Sequence, residues 1–370
     1  MRARRFAVLA AVTAVLLLAG LIAPATASAS GSIKVLLKDL SSPKGLSAGF
    51  ESGQLVVGQG AFGPPAPVIA YTVRGADRGA IDDLSDDVNV TDVAIGADGS
   101  GWAIGGDRNL YRDAPGETEP ELILNIPEYQ ATDPDPFGEQ GDEAESNPYG
   151  LAVLPSGDAL VADAQNNDVL RVTPEGDVTT VARFDTEEIP TDQVPPSPDP
   201  NEPPLPPTIA AEAVPTSIAL GPNGRVFVGE LKGFPFRPGT SHVWSLDPDA
   251  DGAVCSVNTP DPDCTVASEG FTAINDIAYD LQTGTLYVYE LAKDGVFAFE
   301  AGFESGDFPP AVLLEVKKNK ITEVAAGKLS QPGGVVVQNR GTVFVTDGTF
   351  ACEGPEGGPP CHGRLVEVHR

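Results

Sequence analysis

Six times along the chain a glycine turn opens into a short alternating apolar run. The copies are SGQLVVGQ (52–59), DGSGWAIGG (98–106), SGDALVAD (156–163), NGRVFVGE (223–230), TGTLYVYE (283–290) and RGTVFVTD (340–347). Their turn glycines, Gly53, Gly99, Gly157, Gly224, Gly284 and Gly341, stand 46, 58, 67, 60 and 57 residues apart. In the clearest copy, residues 146–184, four strands read as YGLAVL, DALVAD, DVLRV and VTTVARF. The segments between them, PSG, AQNN and TPEG, carry the residues that reverse a chain. Alternation gives each strand two unlike faces, and one four-stranded sheet of this size cannot bury both by itself. Six such sheets at this spacing predict a radial array. The expected fold is all-β, a six-bladed β-propeller of four-stranded antiparallel blades.

The two ends of the chain complete that reading. The last copy stops at RLVEVHR (364–370), which has the pattern of a third strand, with nothing after it to serve as a fourth. Near the start, IKVLLKDL (33–40) has the outer-strand pattern, so it is expected to pair beside 364–370 and close the ring. An unclosed ring would leave two edges open to pairing. Residues 1–29 combine Arg2, Arg4 and Arg5 with the apolar run FAVLAAVTAVLLLAGLIA and the small residues Ala27-Ser28-Ala29. They read as a signal peptide cut after Ala29, with a retained membrane anchor as the alternative. Residues 30–370 then form a single propeller domain, secreted and without stable membrane insertion after cleavage.

Charge narrows the partners. Lys and Arg number 23 against 53 Asp and Glu, a net charge of -30. That balance argues against nucleic acid and anionic lipid and favours cations. Two linkers stand out. Residues 127–145 carry seven acidic side chains and no basic one, and 186–212 is Pro-rich. Both read as loops between blades, the second extended or irregular because proline donates to no ladder. Four cysteines fall in two pairs of equal separation, Cys255 with Cys264 and Cys352 with Cys361. In an exported chain they read as two local disulfides, although four cysteines allow three pairings and metal ligation is a weaker alternative.

The segments NPYGLAVLPSGDALVADAQNNDVLRV (147–172) and VGELKGFPFRPGTSHVWSL (228–246) closely resemble the secreted bacterial ScyD/ScyE family. More distantly the chain is similar to NHL-repeat and SMP-30-like propellers. The likeness runs from about Ile33 to the C-terminus and implies a β-propeller, without an established reaction. The Pro-rich insertion before Val214 departs from it.

Candidate chemistry follows from aligning the copies. The second strands end in Gln59, Gly105, Asp163, Glu230, Glu290 and Asp347, four of them carboxylates. Equivalent repeat positions are radially equivalent, so Asp163, Glu230, Glu290 and Asp347 are expected near one mouth of the channel. Two readings stand: strand-end caps, or an oxygen-rich site for calcium or magnesium. A second ring is expected from Asn89 with Asp92, Asn147, Asn275 with Asp276, and Gln331. Asn275-Asp276 resembles the ligand element of SMP-30-like propellers. The familiar catalytic sets are missing. There are three histidines, no Gly-x-Ser-x-Gly elbow, and Ser241 and His242 point to opposite faces of one strand. The expected function is an extracellular binding or interaction module for a small molecule, glycan or protein. The alternative is a divalent-cation-dependent hydrolase or lyase acting on a small metabolite at the channel mouth, with Glu230 or Glu290 as base for a bound water.

Overall fold

In all six copies the aligned turn glycine has a positive φ, between 66° and 99°. This left-handed conformation is costly for any side chain, and it lets each first strand fold straight back as the second. The computed structural model describes residues 31–138, 145–196, 201, 203–318, 320–338, 341–350 and 362–370. The expected signal peptide and the Cys352–Cys361 pair lie outside the described residues. No helix among the described residues is long and apolar enough to cross a membrane.

Six antiparallel sheets follow one another along the chain, each running from inner to outer strand. Blade 1 comprises Leu46–Ala48, Gln54–Val57, Ile69–Thr72 and Ile81–Asp83. Blade 2 comprises Val90–Ile95, Gly101–Gly105, Asn109–Asp113 and Glu121–Asn125. Blade 3 runs Pro148–Val153, Ala159–Asp163, Asp168–Val172 and Val178–Phe184, and blade 4 runs Pro215–Leu220, Val226–Glu230, Ser241–Leu246 and Cys264–Phe271. Blade 5 is Ile274–Asp280, Thr285–Glu290, Val312–Lys317 and Lys320–Val324. Blade 6 takes three strands from the end of the chain, Pro332–Gln338, Thr342–Asp347 and Gly363–His369, and its fourth, Ser32–Leu40, from the beginning. Ser32 pairs with His369 and Val35 with Val366, so the expected closure is present.

The first strand of every blade packs on the first strands of its two neighbours, which makes these the innermost strands around the axis. Apolar residues fill the wedges between blades. Leu160, Phe184 and Trp244 lie buried between blades 3 and 4, and Tyr287, Tyr289 and Val366 between blades 5 and 6. Burial of such side chains stabilises the ring by about 1.5–3 kcal/mol each.

Both linkers hold more structure than their composition suggests. Residues Glu187–Pro190 and Thr208–Ala211 pair as a two-stranded ribbon at the base of the Pro-rich excursion, because the prolines cluster beyond its far end. In the acidic linker, Ile126–Gln130 forms a helical turn capped by Asn125, whose side chain accepts from the Glu128 N–H at 3.1 Å. The expected Cys255–Cys264 disulfide is formed. It joins two blades rather than one hairpin. Ala253–Cys255 adds to blade 3 as a parallel fifth strand beside Phe184, while Cys264 opens the outer strand of blade 4.

Candidate functional site

Near the axial end of each first strand in blades 2 to 6 the pairing register slips. The unpaired residues are Thr91, Tyr149, Thr216, Asn275 and, in blade 6, Gly333 with Gly334. A bulge of this kind bends the strand and re-aims a side chain. In blade 1 the carbonyl of Gly45 accepts from the Gly58 N–H, which puts Lys44 at the matching position. Glycine at Gly150 and Gly334 permits the tight approach of neighbouring first strands. A Cβ at Gly150 would stand 2.7 Å from the Thr216 carbonyl oxygen, and one at Gly334 would stand 2.8 Å from that of Lys44.

Side chains from four blades meet at one place on the axis, those of blades 2, 3 and 5 at or beside a bulge and Lys44 just before the first strand of blade 1. The Lys44 ammonium lies 3.8 Å from the Tyr149 ring centroid and donates to the Tyr149 carbonyl at 2.6 Å. The Tyr149 hydroxyl donates to Asn275 Oδ1 at 3.0 Å, and Asn275 Nδ2 donates to the Gly333 carbonyl at 2.7 Å. Asp92 and Asp276 sit one residue beyond the bulge in blades 2 and 5. Asp92 accepts from the N–H groups of Val93 and Leu151, both at 2.9 Å. Asp276 accepts from the Val335 N–H at 2.6 Å and from the Ile277 N–H.

Enclosure governs the ionisation of this ring. Burial, reinforced by the nearby charge of Asp92 and opposed by Lys44, pushes the Asp276 carboxyl up to about 7. Burial also raises Asp92, again against the pull of Lys44. The Tyr149 phenol is raised by burial first and by the two aspartates second. The arrangement therefore holds a carboxyl that changes charge near neutrality, facing a lysine whose side chain is only 4 % exposed. Such a pair can take up or release a proton while the lysine balances the charge that results.

The second-strand carboxylates are placed differently. They belong to the strands outside the innermost ring, and each is bonded close to its own blade. Asp163 accepts from Ser146 Oγ at 2.6 Å and from the Asn147 N–H at 2.7 Å. Gln130 of the linker helix bridges it to Asp168, whose carboxyl is raised well above the usual range by burial and by Asp163. Glu230 is fully buried and meets Lys232 at 3.0 Å, His242 Nδ1 at 2.6 Å and the Trp244 indole N–H at 2.8 Å. Burial pushes its pKa up, but Lys232 and then His242 more than offset that and hold it low. Glu290 accepts from the Thr272 N–H at 2.7 Å, and burial raises it to about 8. Asp347 is paired with Arg364. Among the described residues no group of three or more His, Cys, Asp and Glu stands close enough to hold a metal ion.

Of the second expected ring, Asp92, Asn275 and Asp276 do face the axis together. Asn89 instead donates to the carbonyls of Gly60 and Gly63, and Asn147 lies exposed at a strand end. Gln331 precedes the first strand of blade 6, and its buried Oε1 has no hydrogen-bond partner. Lys44 and Tyr149 were not among the expected residues. Their signal was in the sequence all the same. Lys44, Thr91, Tyr149, Thr216, Asn275 and Gly333 each precede a turn glycine by eight or nine residues.

No protein-family model and no curated protein sequence matches this chain. Solved structures do match its fold. A PQQ-bound aldose sugar dehydrogenase from Streptomyces coelicolor is 15% identical, with a TM-score of 0.51, over 92% of this chain and 99% of that one. A gluconolactonase from Xanthomonas campestris is 12% identical, with a TM-score of 0.52, over 92% of this chain and 89% of that one. At such identities the likeness shows the fold alone, a six-bladed β-propeller.

The axial ring does not suit a divalent cation. Asp92 and Asp276 each already accept two backbone N–H groups, and the Lys44 ammonium supplies the positive charge that an ion would bring. Hard divalent ions take six or more oxygen ligands, and this donor set is too small and too occupied.

Proposed function

We propose that this chain is a secreted β-propeller that binds a small polar metabolite at the axial ring and acts on it as a hydrolase or lyase. One observation carries the reading: Lys44, Asp92, Tyr149, Asn275 and Asp276, from four separate blades, meet at a common place on the axis. In it Asp276 is the general base. In hydrolysis it takes the proton of an attacking water and returns it to the leaving oxygen. Lys44 steadies the negative charge that develops, and Asn275, held by Tyr149 and the Gly333 carbonyl, orients the substrate. The gluconolactonase title of one structural neighbour agrees with this in kind. The Cys255–Cys264 bridge agrees with an oxidising, extracytoplasmic location after removal of residues 1–29. The ScyD/ScyE likeness belongs to the same proposal.

A second reading is a binding module without turnover. Asp92 and Asp276 also tie neighbouring blades together, through Leu151 and Val335, and that role alone could account for them. The experiment is a panel of small lactones and esters assayed by proton release between pH 5 and 9. The proposal expects turnover that rises with pH through about 7 and falls by roughly 100-fold or more in Asp276→Asn. Saturable binding of panel members without turnover would favour the module.

A further inference from the structure

Five of the six wedges between blades are filled by large side chains, and the sixth is not. Between blades 1 and 2 the buried apolar cluster consists of Val56, Val90 and Val93. Beside it opens a cavity of about 960 Å³. Small residues leave this space. Gly105 stands where the other second strands end in Gln59, Asp163, Glu230, Glu290 and Asp347, and Ala103 faces the valines where they carry Val57, Val161, Val228, Val288 and Val345. The walls carry aromatic surface from Phe50, Phe62 and Tyr111. Among the described residues the charged ones lining the cavity are acidic, Asp107 and Asp113, and both are exposed at its rim.

We propose that this cleft is a binding site for a lipophilic cation, separate from the axial ring. The volume is that of a pocket for a small organic molecule. Its floor and walls favour an apolar body of matching size. Aromatic faces and two rim carboxylates, on a chain of net charge -30, favour a positive head group over a neutral or anionic one. The polar groups around it support the same assignment. Asp107 accepts from the Tyr111 hydroxyl at 2.6 Å and so fixes that ring at the mouth. Trp102 is buried behind the cavity, with its indole N–H donated to Ser100 Oγ at 3.1 Å and the Arg112 guanidinium over its ring, so it contributes packing rather than a cation-binding face.

The test is calorimetric titration of the full chain with decyltrimethylammonium below its micelle concentration. Decyl sulfate, decyl maltoside and tetramethylammonium serve as comparisons. The proposal expects saturable one-to-one binding of decyltrimethylammonium, at least tenfold tighter than that of the other three. Ala103→Leu, which fills the cavity, should lower that affinity tenfold or more. Asp107→Asn with Asp113→Asn should lower it about tenfold while leaving the decyl maltoside response unchanged. Equal binding of the cationic, neutral and anionic chains would overturn the proposal. So would tetramethylammonium binding as tightly as decyltrimethylammonium, or unchanged affinity in Ala103→Leu at unchanged melting temperature. Self-association that Ala103→Leu abolishes would also overturn it, by showing that a second copy occupies the cleft.

Discussion

Tyr149 in blade 3 donates its hydroxyl to Asn275 Oδ1 in blade 5, 3.0 Å away, and so spans the position occupied by blade 4. Two alternate blades can be joined this way only because the bulges turn both side chains toward the axis. Tyr149→Phe removes the donor and leaves the ring packed. It should cost about 1 kcal/mol of stability, with the loss confined to the axial strands in hydrogen exchange.

Ring closure by Ser32–Leu40 has a direct consequence. Leu40 is buried in the wedge beside blade 1, and Leu36 and Leu37 pack against the same cluster. Removing residues 31–40 takes away that burial and exposes the Gly363–His369 strand as an open edge. The truncated chain should lose several kcal/mol and aggregate on heating, measured by thermal melting with light scattering.

The buried pair of Lys232 and Glu230 predicts a non-additive result. Burial works against the Lys232 ammonium, but Glu230 and Glu187 together more than offset it and raise its pKa. Lys232→Met strands the Glu230 carboxylate in the interior and should cost about 3–5 kcal/mol. Lys232→Met combined with Glu230→Gln should recover much of that loss, which a double-mutant cycle of melting temperatures reads directly.

Two raised carboxyls set the expected pH dependence. Asp276 is held at about 7 and Glu290 at about 8, both above their unfolded values. Between the unfolded and folded pKa the native state binds more protons than the unfolded chain. Stability from these two groups therefore increases as pH falls from about 8 toward about 5. The lowered Glu230 acts the opposite way and withdraws its contribution only as pH falls through its folded value. Melting temperature should rise from pH 8 to pH 5. Glu290→Gln should stabilise the protein at pH 8 and flatten the slope.

The Cys255–Cys264 bridge should behave as a join between blades. It closes ten residues, for which chain-entropy reasoning gives about 2–3 kcal/mol. Replacing both cysteines by alanine should lower protection from hydrogen exchange in Ala253–Cys255 and in the Phe184 strand beside it. Blades 1, 2, 5 and 6 should be unaffected.

The fold was legible because turn chemistry repeats. Each aligned glycine takes the positive φ that its turn requires, and the missing last strand pointed to residues 33–40. The candidate site was legible only in part. Aligning strand ends picked out Asp163, Glu230, Glu290 and Asp347, but a strand end can be satisfied locally, and these four are. Arg364, which pairs with Asp347, lies 17 residues away on the next strand, and Gln130 reaches Asp163 from a linker. Such partners leave no mark in the repeat. Lys44 lies before the short first strand of blade 1, outside any alternation, and Tyr149 was obscured for a different reason. A bulge shifts the period of two by one residue, so the position that faces the axis falls outside the alternation that reveals the strand.

The central claim is that the axial ring holds Asp276 ready to exchange a proton near neutral pH, through burial first and then through the opposed charges of Asp92 and Lys44. The most direct measurement is a carboxyl-carbon NMR titration of Asp276 in the intact protein. The account predicts a midpoint near 7. That midpoint should fall in Asp92→Asn, which removes a like charge, and rise in Lys44→Met, which removes the opposite one. A midpoint at the ordinary aspartate value of about 4, unmoved by either substitution, would contradict it.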